Sequence, residues 1–421
     1  MLQTKTINEN ITLTYIPMGK LKTTTVGFYI HCPLDKKTAS CNALLASVLK
    51  QGSAEYPTRE LLTKRLDELY GSTLASGVSK KGEDHILSFE AECISDRYTM
   101  GGEKLLSQLV EVLFGVIFSP LSVDGRFNDD VFSQEKKNLI DRIRATVNDK
   151  RTYANERLCQ ITSEGTPYAV ARLGDEETVS GIDNSDLFEY YREMIVSSKI
   201  DVFAAGETDV DALAERLSAL VSEKTFKDAK LPKCKILDKV SEVKTVTENM
   251  DVTQGKLAMS FTTGIKPTDE ANWGMVVANS IFGGGAHSKL FNNVREKLSL
   301  AYYAGSQYHK FKGFIAVNAG VEFENFKKAY DEILVQLDEL KKGNVSDNEF
   351  TAAKMALINS LNSYYDDQLY MQSFYLGEKV AGTNYDIDYY IKKIEEVSKK
   401  DVTDAAKGIE LNSVYYLAGR K

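Results

Sequence analysis

The chain has 421 residues, 43% of them hydrophobic and 27% charged, with a formal net charge of −8. Its length favours two to four domains with enough apolar material to fold without staples. The acidic balance argues against nucleic acid or an anionic membrane as the main partner, since both reward clustered Lys and Arg.

In chain order, residues 11–16 and 25–30 gather β-formers and read as strands. Residues 40–51 follow as an amphipathic helix with Leu45, Val48 and Leu49 on one stripe, stopped by Gly52. A second helix spans about 57–70, opening at Pro57-Thr58 and ending before Gly71. Residues 73–79 and 85–92 are strands joined by the polar turn 80–84. Long helical patterns cover about 102–114 and 128–162, and 200–206 closes this half as a strand. Residues 224–246, rich in Lys and holding Pro232, read as a linker. The order then repeats: a strand at 256–262, a helix at 268–282 ending in Gly283-Gly284-Gly285, strands at 300–306 and 313–320, helices at about 324–342 and 346–365, and a last strand at 413–419. Val202-Phe-Ala-Ala-Gly206 and Tyr415-Tyr-Leu-Ala-Gly419 lie about half a chain apart, each after an upstream Val-Ser pair. Two copies of one α+β domain follow, with boundaries 1–223, 224–246 and 247–421.

Five cysteines (Cys32, Cys41, Cys93, Cys159, Cys234) form no Cys-x-x-Cys pair, which suits reduced thiols in a cytoplasm. The first residues show no secretory segment, and no run approaches the roughly 18 apolar residues of a membrane span. A soluble cytoplasmic protein is the expectation.

The four histidines, His31, His85, His287 and His309, never fall three or four residues apart, so no helix offers two imidazoles to one metal. No Gly-x-Ser-x-Gly elbow or Walker loop occurs. No context promotes a cysteine or serine nucleophile. The most specific segment is Phe282-Gly-Gly-Gly-Ala-His-Ser-Lys-Leu-Phe-Asn-Asn-Val-Arg-Glu-Lys-Leu-Ser-Leu-Ala-Tyr-Tyr303. Its three glycines permit a sharp turn with amides open to another chain. Arg295 and Tyr302, seven apart, can hold a peptide carbonyl through directional donors, or can pair with an acidic neighbour and cap a core.

This segment resembles the C-terminal signature of the insulinase/pitrilysin (M16) peptidase superfamily. The chain is similar over its whole length to the half-length bacterial group related to mitochondrial processing peptidase subunits. The resemblance implies two homologous α+β domains, each a mainly antiparallel β-sheet packed with helices on one face, in a clamshell that encloses unfolded peptides as added strands. It also implies that Arg295 and Tyr302 bind substrate, together with Gly283, Gly284 and Gly285. The family's His-x-x-Glu-His falls on Ala43, Ala46 and Ser47, and its third ligand on Ser133 or Glu135. Neither set holds catalytic zinc, and the general base is gone with it. No cofactor, no metal and no catalytic residue are expected.

Asn148-Asp-Lys-Arg-Thr-Tyr-Ala-Asn-Glu-Arg-Leu158 resembles the zinc-less member of a bacterial pair associated with 5-aminopentanol modification of elongation factor P. Arg151, Tyr153, Asn155 and Arg157 equally suit a solvated helix face. The leading expectation is a non-catalytic, substrate-binding subunit, a dimer with a zinc-bearing paralogue or with itself, that takes an extended peptide or protein. The alternatives are a non-cleaving, chaperone-like peptide holder and a zinc peptidase with ligands of another pattern.

Overall fold

A computed structural model describes residues 2–238 and 242–420. The first half runs β1 (Gln3–Thr6), β2 (Ile11–Pro17), β3 (Thr23–Pro33), α1 (Lys36–Leu49), α2 (Arg59–Glu68), β4 (Thr73–Lys81), β5 (Asp84–Ile94), α3 (Leu105–Phe118), a short hairpin of β6 (Ser122–Val123) and β7 (Arg126–Phe127), α4 (Asp129–Ala145), α5 (Lys150–Thr162), α6 (Glu176–Gly181), α7 (Asn184–Ser197), β8 (Lys199–Gly206) and α8 (Val210–Val221). The second half runs β9 (Lys244–Met250), β10 (Gly255–Thr262), α9 (Ala271–Gly283), a π-helix at Leu290–Lys297, β11 (Ala301–His309), β12 (Phe314–Val321), α10 (Phe326–Lys341), α11 (Asp347–Ser363), α12 (Gln368–Ala381), α13 (Ile387–Glu396), α14 (Lys399–Lys407) and β13 (Glu410–Gly419). The fold is α+β, as expected.

The duplication is visible in the sheets. One has the order β1-β2-β8-β3-β5-β4, the other β9-β13-β10-β12-β11 when read from its parallel end. In each, one parallel pair (β2 with β8, β9 with β13) adjoins antiparallel neighbours. The two sequence-matched segments, in β8 and β13, therefore occupy the same place. β1 is an extra strand outside β2.

The chain forms two compact units, and they are not contiguous. Unit 1 holds the residues up to Arg144, Val170–Lys233 and Tyr364–Val380; unit 2 holds Ala145–Ala169, Cys234–Ser363 and the stretch from Ala381 onward. The contiguous boundaries 1–223 and 247–421 are corrected accordingly: α5 belongs with the second sheet and α12 with the first. The 128–162 helical pattern breaks at 146–149, where Asp149 caps α5 by accepting from the Arg151 and Thr152 amides. Within the expected linker, residues 224–238 carry no helix or strand, 239–241 lie outside the described residues, and β9 begins at Lys244.

In unit 1, β3 shows how a strand serves two faces. Val26, Phe28, Ile30 and Cys32 point into a core with Leu44, Leu45 and Leu49 of α1 and most of α3. Burying a side chain such as Phe28 contributes about 2–3 kcal/mol. The alternate residues face α12: Gln372 donates to Thr25 Oγ1 at 2.7 Å and Tyr29 donates to Gln372 Oε1 at 2.9 Å. Gly27 is what lets α12 lie so close, because a Cβ there would sit 2.5 Å from Gln372 Oε1.

In unit 2, α5 takes the matching role. Leu158 and Cys159 join Ala258, Phe314, Ala316, Tyr415 and Leu417 in a separate apolar cluster. Tyr153 and Arg157 donate to Glu248 at 2.9 and 2.8 Å, Asn318 donates to Asn155 at 3.2 Å, and Arg151 lies over the Tyr303 ring. These four residues bind α5 to its sheet and are not a solvated face.

Candidate functional site

Helix α1 starts at Lys36 because Asp35 caps it, accepting from the Lys37 amide at 2.8 Å. Its Ala43 and Ala46 are 3% exposed and belong to the hydrophobic core. Ser47 is half-buried, and its hydroxyl donates to the Ala43 carbonyl at 3.4 Å. Facing it, α4 presents Glu135, Leu139 and Arg142 at the spacing of one helix face. Glu135 accepts from Gln51 at 3.0 Å, Leu139 is fully buried, and Arg142 Nη2 donates to Ser47 Oγ at 2.9 Å.

Of the two positions matched to the family's third ligand, Ser133 is exposed on α4 and Glu135 is the one bonded to Gln51, in the turn after α1. The residue opposite Ser47 is neither of these but Arg142. Sequence reading passed over it, although its place seven residues after Glu135 on an amphipathic helix is a usable signal. This donor set does not fit a zinc ion. Two methyl groups offer no lone pair, the one hydroxyl already accepts from a guanidinium, and the guanidinium is itself a permanent cation. Among the described residues no group of three His, Cys, Asp or Glu is placed to hold a metal.

Edge strand β4 runs beside this face, where Ser76 Oγ donates to the Ala46 carbonyl. Farther along β4, Arg172 donates to the Val78 carbonyl at 3.0 Å and Lys80 donates to the Val170 carbonyl at 3.0 Å. A buried polar chain sets α1 against β5 and α7: Tyr190 donates to Asn42 Oδ1 at 2.7 Å, and Asn42 Nδ2 bonds His85 Nδ1 at 3.1 Å. His85 Nε2 then reaches the Arg172 carbonyl at 3.0 Å. Burial holds His85 down at about 4 against the help of that carbonyl, so its ring is neutral. Burial also pushes the Cys32 and Cys93 thiols up to about 12 and Cys41 to about 11, which makes all three poor nucleophiles at neutral pH.

Unit 1 has a second cluster of charge under α12. His31, 2% exposed, places Nδ1 2.6 Å from Asp84 and Nε2 3.1 Å from Asp201. Lys379 of α12 pairs with Asp201, and Thr12 donates to the same carboxylate at 2.5 Å. Burial opposes the charged form of His31, but hydrogen bonds to Asp201 and Asp84 outweigh it and lift the ring to about 9. Burial likewise opposes the Asp201 carboxylate, which His31 and Lys379 nonetheless hold at about 2. Burial raises the pKa of Asp84, against the hydrogen bond and charge of His31.

In unit 2, Arg295 and Tyr302 line one cleft of about 410 Å³ with Glu296, Ser299, Leu300, Ala301 and Glu322. Arg295 sits on the π-helix, its guanidinium over the Phe291 ring and its Nε 3.6 Å from Glu296. Tyr302 is 60% exposed and donates to Glu322, an acceptor that raises its pKa. Gly283, Gly284 and Gly285 do not line the cleft, and none has a positive φ. The chain bends and turns over 284–288, where the Ser288 amide donates to the Gly285 carbonyl at 3.0 Å; Gly283 ends α9, and because a Cβ there would meet the Ser306 backbone nitrogen at 2.4 Å, the glycine lets α9 pack on β11. His287 bonds Ser280, and His309 stacks on Phe314. No helix among the described residues is long and apolar enough to cross a membrane.

The sequence profile of the family described as Peptidase M16 inactive domain matches residues 181–357. A probable inactive metalloprotease of Bacillus subtilis, YmfF, is 32% identical over 419 residues, covering 99% of this chain and 97% of that protein. A conserved protein from Enterococcus faecalis of known crystal structure superposes with a TM-score of 0.92 at 28% identity, over 100% of this chain and 99% of its own. A peptidase M16 inactive domain from Pseudomonas fluorescens shares the fold, with a TM-score of 0.81 at 15% identity over 100% and 98% of the two chains.

Proposed function

The chain belongs to the M16 peptidase family, and we propose that within it this protein binds extended peptides without cutting them, as the non-catalytic subunit of a zinc-bearing paralogue. The observation that carries this reading is the pairing of an open β4 edge with an α1 face that holds Ala43, Ala46 and Ser47 in place of metal ligands. A sheet edge binds a peptide backbone through main-chain hydrogen bonds and needs no metal to do so. Hydrolysis is different: without a metal-bound water and a general base, the attacking oxygen is not activated.

The cleft of unit 2 supports the same reading. Arg295 offers a planar cation on a partly exposed side chain, and Tyr302 a phenol at the surface. Both are donors suited to a peptide carbonyl. Glu322, which now accepts the Tyr302 hydrogen bond, is an acceptor a bound peptide would displace.

The test is reconstitution. Peptide cleavage by the zinc-bearing paralogue is measured alone, with this chain, and with its Arg295→Ala and Tyr302→Phe variants. Stimulation by the wild-type chain and its loss in the variants is the expected result. Equal rates with and without this chain would sink the proposal. Capture of intact peptides by this chain alone, with no effect on the paralogue, would favour the free-standing peptide holder.

A further inference from the structure

We infer that Phe291 is a positioning residue, whose ring holds the Arg295 guanidinium in the cleft of unit 2 so that its donors meet a peptide carbonyl. The inference rests on the proposed peptide binding and adds to it a residue that acts only through Arg295.

Three observations lead there. First, the turn that carries Arg295 is a π-helix, Leu290–Lys297, and at its end the Leu298 amide reaches back five residues to the Asn293 carbonyl at 3.1 Å. Such turns are rare and concentrate at functional sites. Asn293 Nδ2 fastens this one, donating to the Lys289 carbonyl at 3.0 Å and to Gln336 of α10 at 2.9 Å. Second, the core fixes the row to which Arg295 belongs. Leu290 and Val294, four residues apart, are fully buried. Phe291 and Arg295, each one residue further on, form the adjacent row, and the guanidinium carbon lies 4.6 Å from the centre of the Phe291 ring. Third, little else restrains that charge. Among the described residues the other partner of Arg295 is Glu296, 3.6 Å from Nε in a solvent-exposed pair of the kind that water largely screens.

The chemistry suits the role. A ring face attracts the cation through its quadrupole and leaves the N–H bonds, which lie in the guanidinium plane, free to donate. A carboxylate in the same place would hold the charge but occupy those donors. A long side chain already laid on a ring also has less freedom to lose when a carbonyl arrives. Tyr302 is placed by other means: the β11 register shifts between Ala301 and Tyr303, which makes Tyr302 the extra residue of a bulge. Phe291 thus supports Arg295 alone.

The experiment is a double-variant cycle on the full chain, read by anisotropy with an N-terminally fluorescein-labelled octapeptide of alternating Val and Thr. Phe291→Leu should weaken binding about two- to fivefold, the span of a cation–π contact at an exposed site. In the Arg295→Ala chain the same change should cost nothing, because the group it supports is gone. Phe291→Tyr, which keeps the ring, should bind as the wild type does. An equal loss in both backgrounds would mean that Phe291 serves the fold or touches the peptide, and would overturn the inference while peptide binding stands. Wild-type affinity in Phe291→Leu or in Arg295→Ala would overturn it too. Failure of the wild-type chain to bind the peptide would remove the proposed function and the inference with it. Phe291→Met replaces the Leu variant in the cycle if that chain does not fold.

Discussion

Raising the pH should loosen α12 from the first sheet through a single buried ring. His31 lies between Asp84 of β5 and Asp201 of β8, with Lys379 of α12 and Thr12 of β2 completing the cluster. Its folded pKa of about 9 stands above the ordinary 6.5. That difference corresponds to about 3 kcal/mol, since one pKa unit is worth about 1.4 kcal/mol. The folded value is the raised one, so this stability is complete below pH 6.5 and is lost as pH rises through 9. For a unit of this size each kcal/mol moves the melting temperature by about 2–4 °C, giving a fall of ~6–12 °C between pH 6 and 10. Scanning calorimetry across that range on the wild-type chain and on His31→Gln measures it. Tyrosine and cysteine ionisation also weakens the fold at alkaline pH, but it acts in both proteins. The variant should begin less stable at pH 6, with Asp84 and Asp201 deprived of a cation, and should fall less steeply. Parallel slopes in the two proteins would refute the assignment of this charge to His31.

Gly283→Ala should destabilise unit 2 by about 2–3 kcal/mol in denaturant unfolding, because its methyl group would run into the Ser306 backbone and not a yielding side chain. Tyr302→Phe should change stability by less than about 0.5 kcal/mol, since its phenol is at the surface. A lowered affinity for peptides in that variant therefore reports recognition, and an unchanged one removes Tyr302 from the site. Residues 1–223 expressed alone should show secondary structure by far-UV circular dichroism but no cooperative melting, because α12 is missing and α5 has lost its sheet. Sharp unfolding of that fragment near the temperature of the full chain would contradict the division into units.

Periodicity made much of the fold legible. The β-formers of β2 and β3, the apolar stripe and Gly52 stop of α1 and the Val-Ser landmarks before β8 and β13 each carry local signals, and the sheet orders agree with the duplication they suggested. The exchange of α5 and α12 was hidden because it is a choice of partner. Lys150–Thr162 is equally helical against either sheet, and only Glu248, Asn318 and Tyr303 reveal which one it covers. The first three residues of β9 fell within the expected linker, and the strand's mostly exposed positions give it no strong apolar period. Arg295 and Tyr302, close together in one segment, could be paired from the sequence, and they do line one cleft. Helical spacing puts Arg142 on the face of Glu135, but its contact with Ser47 joins residues almost a hundred apart and shows only in the fold.

The late position of α12 has a consequence during synthesis. The last strand of the first sheet, β8, ends at Gly206, whereas α12 ends at Ala381. At about 5–20 residues per second, roughly 10–35 s pass between the emergence of the two. Through that interval one face of the nascent sheet, with His31, Asp84 and Asp201, stands uncovered and wet on a ribosome-bound chain. Those groups tolerate water well, whereas an apolar surface in the same place would invite association with other chains. The polarity of the α12 contact is thus suited to a sheet that must wait for its cover.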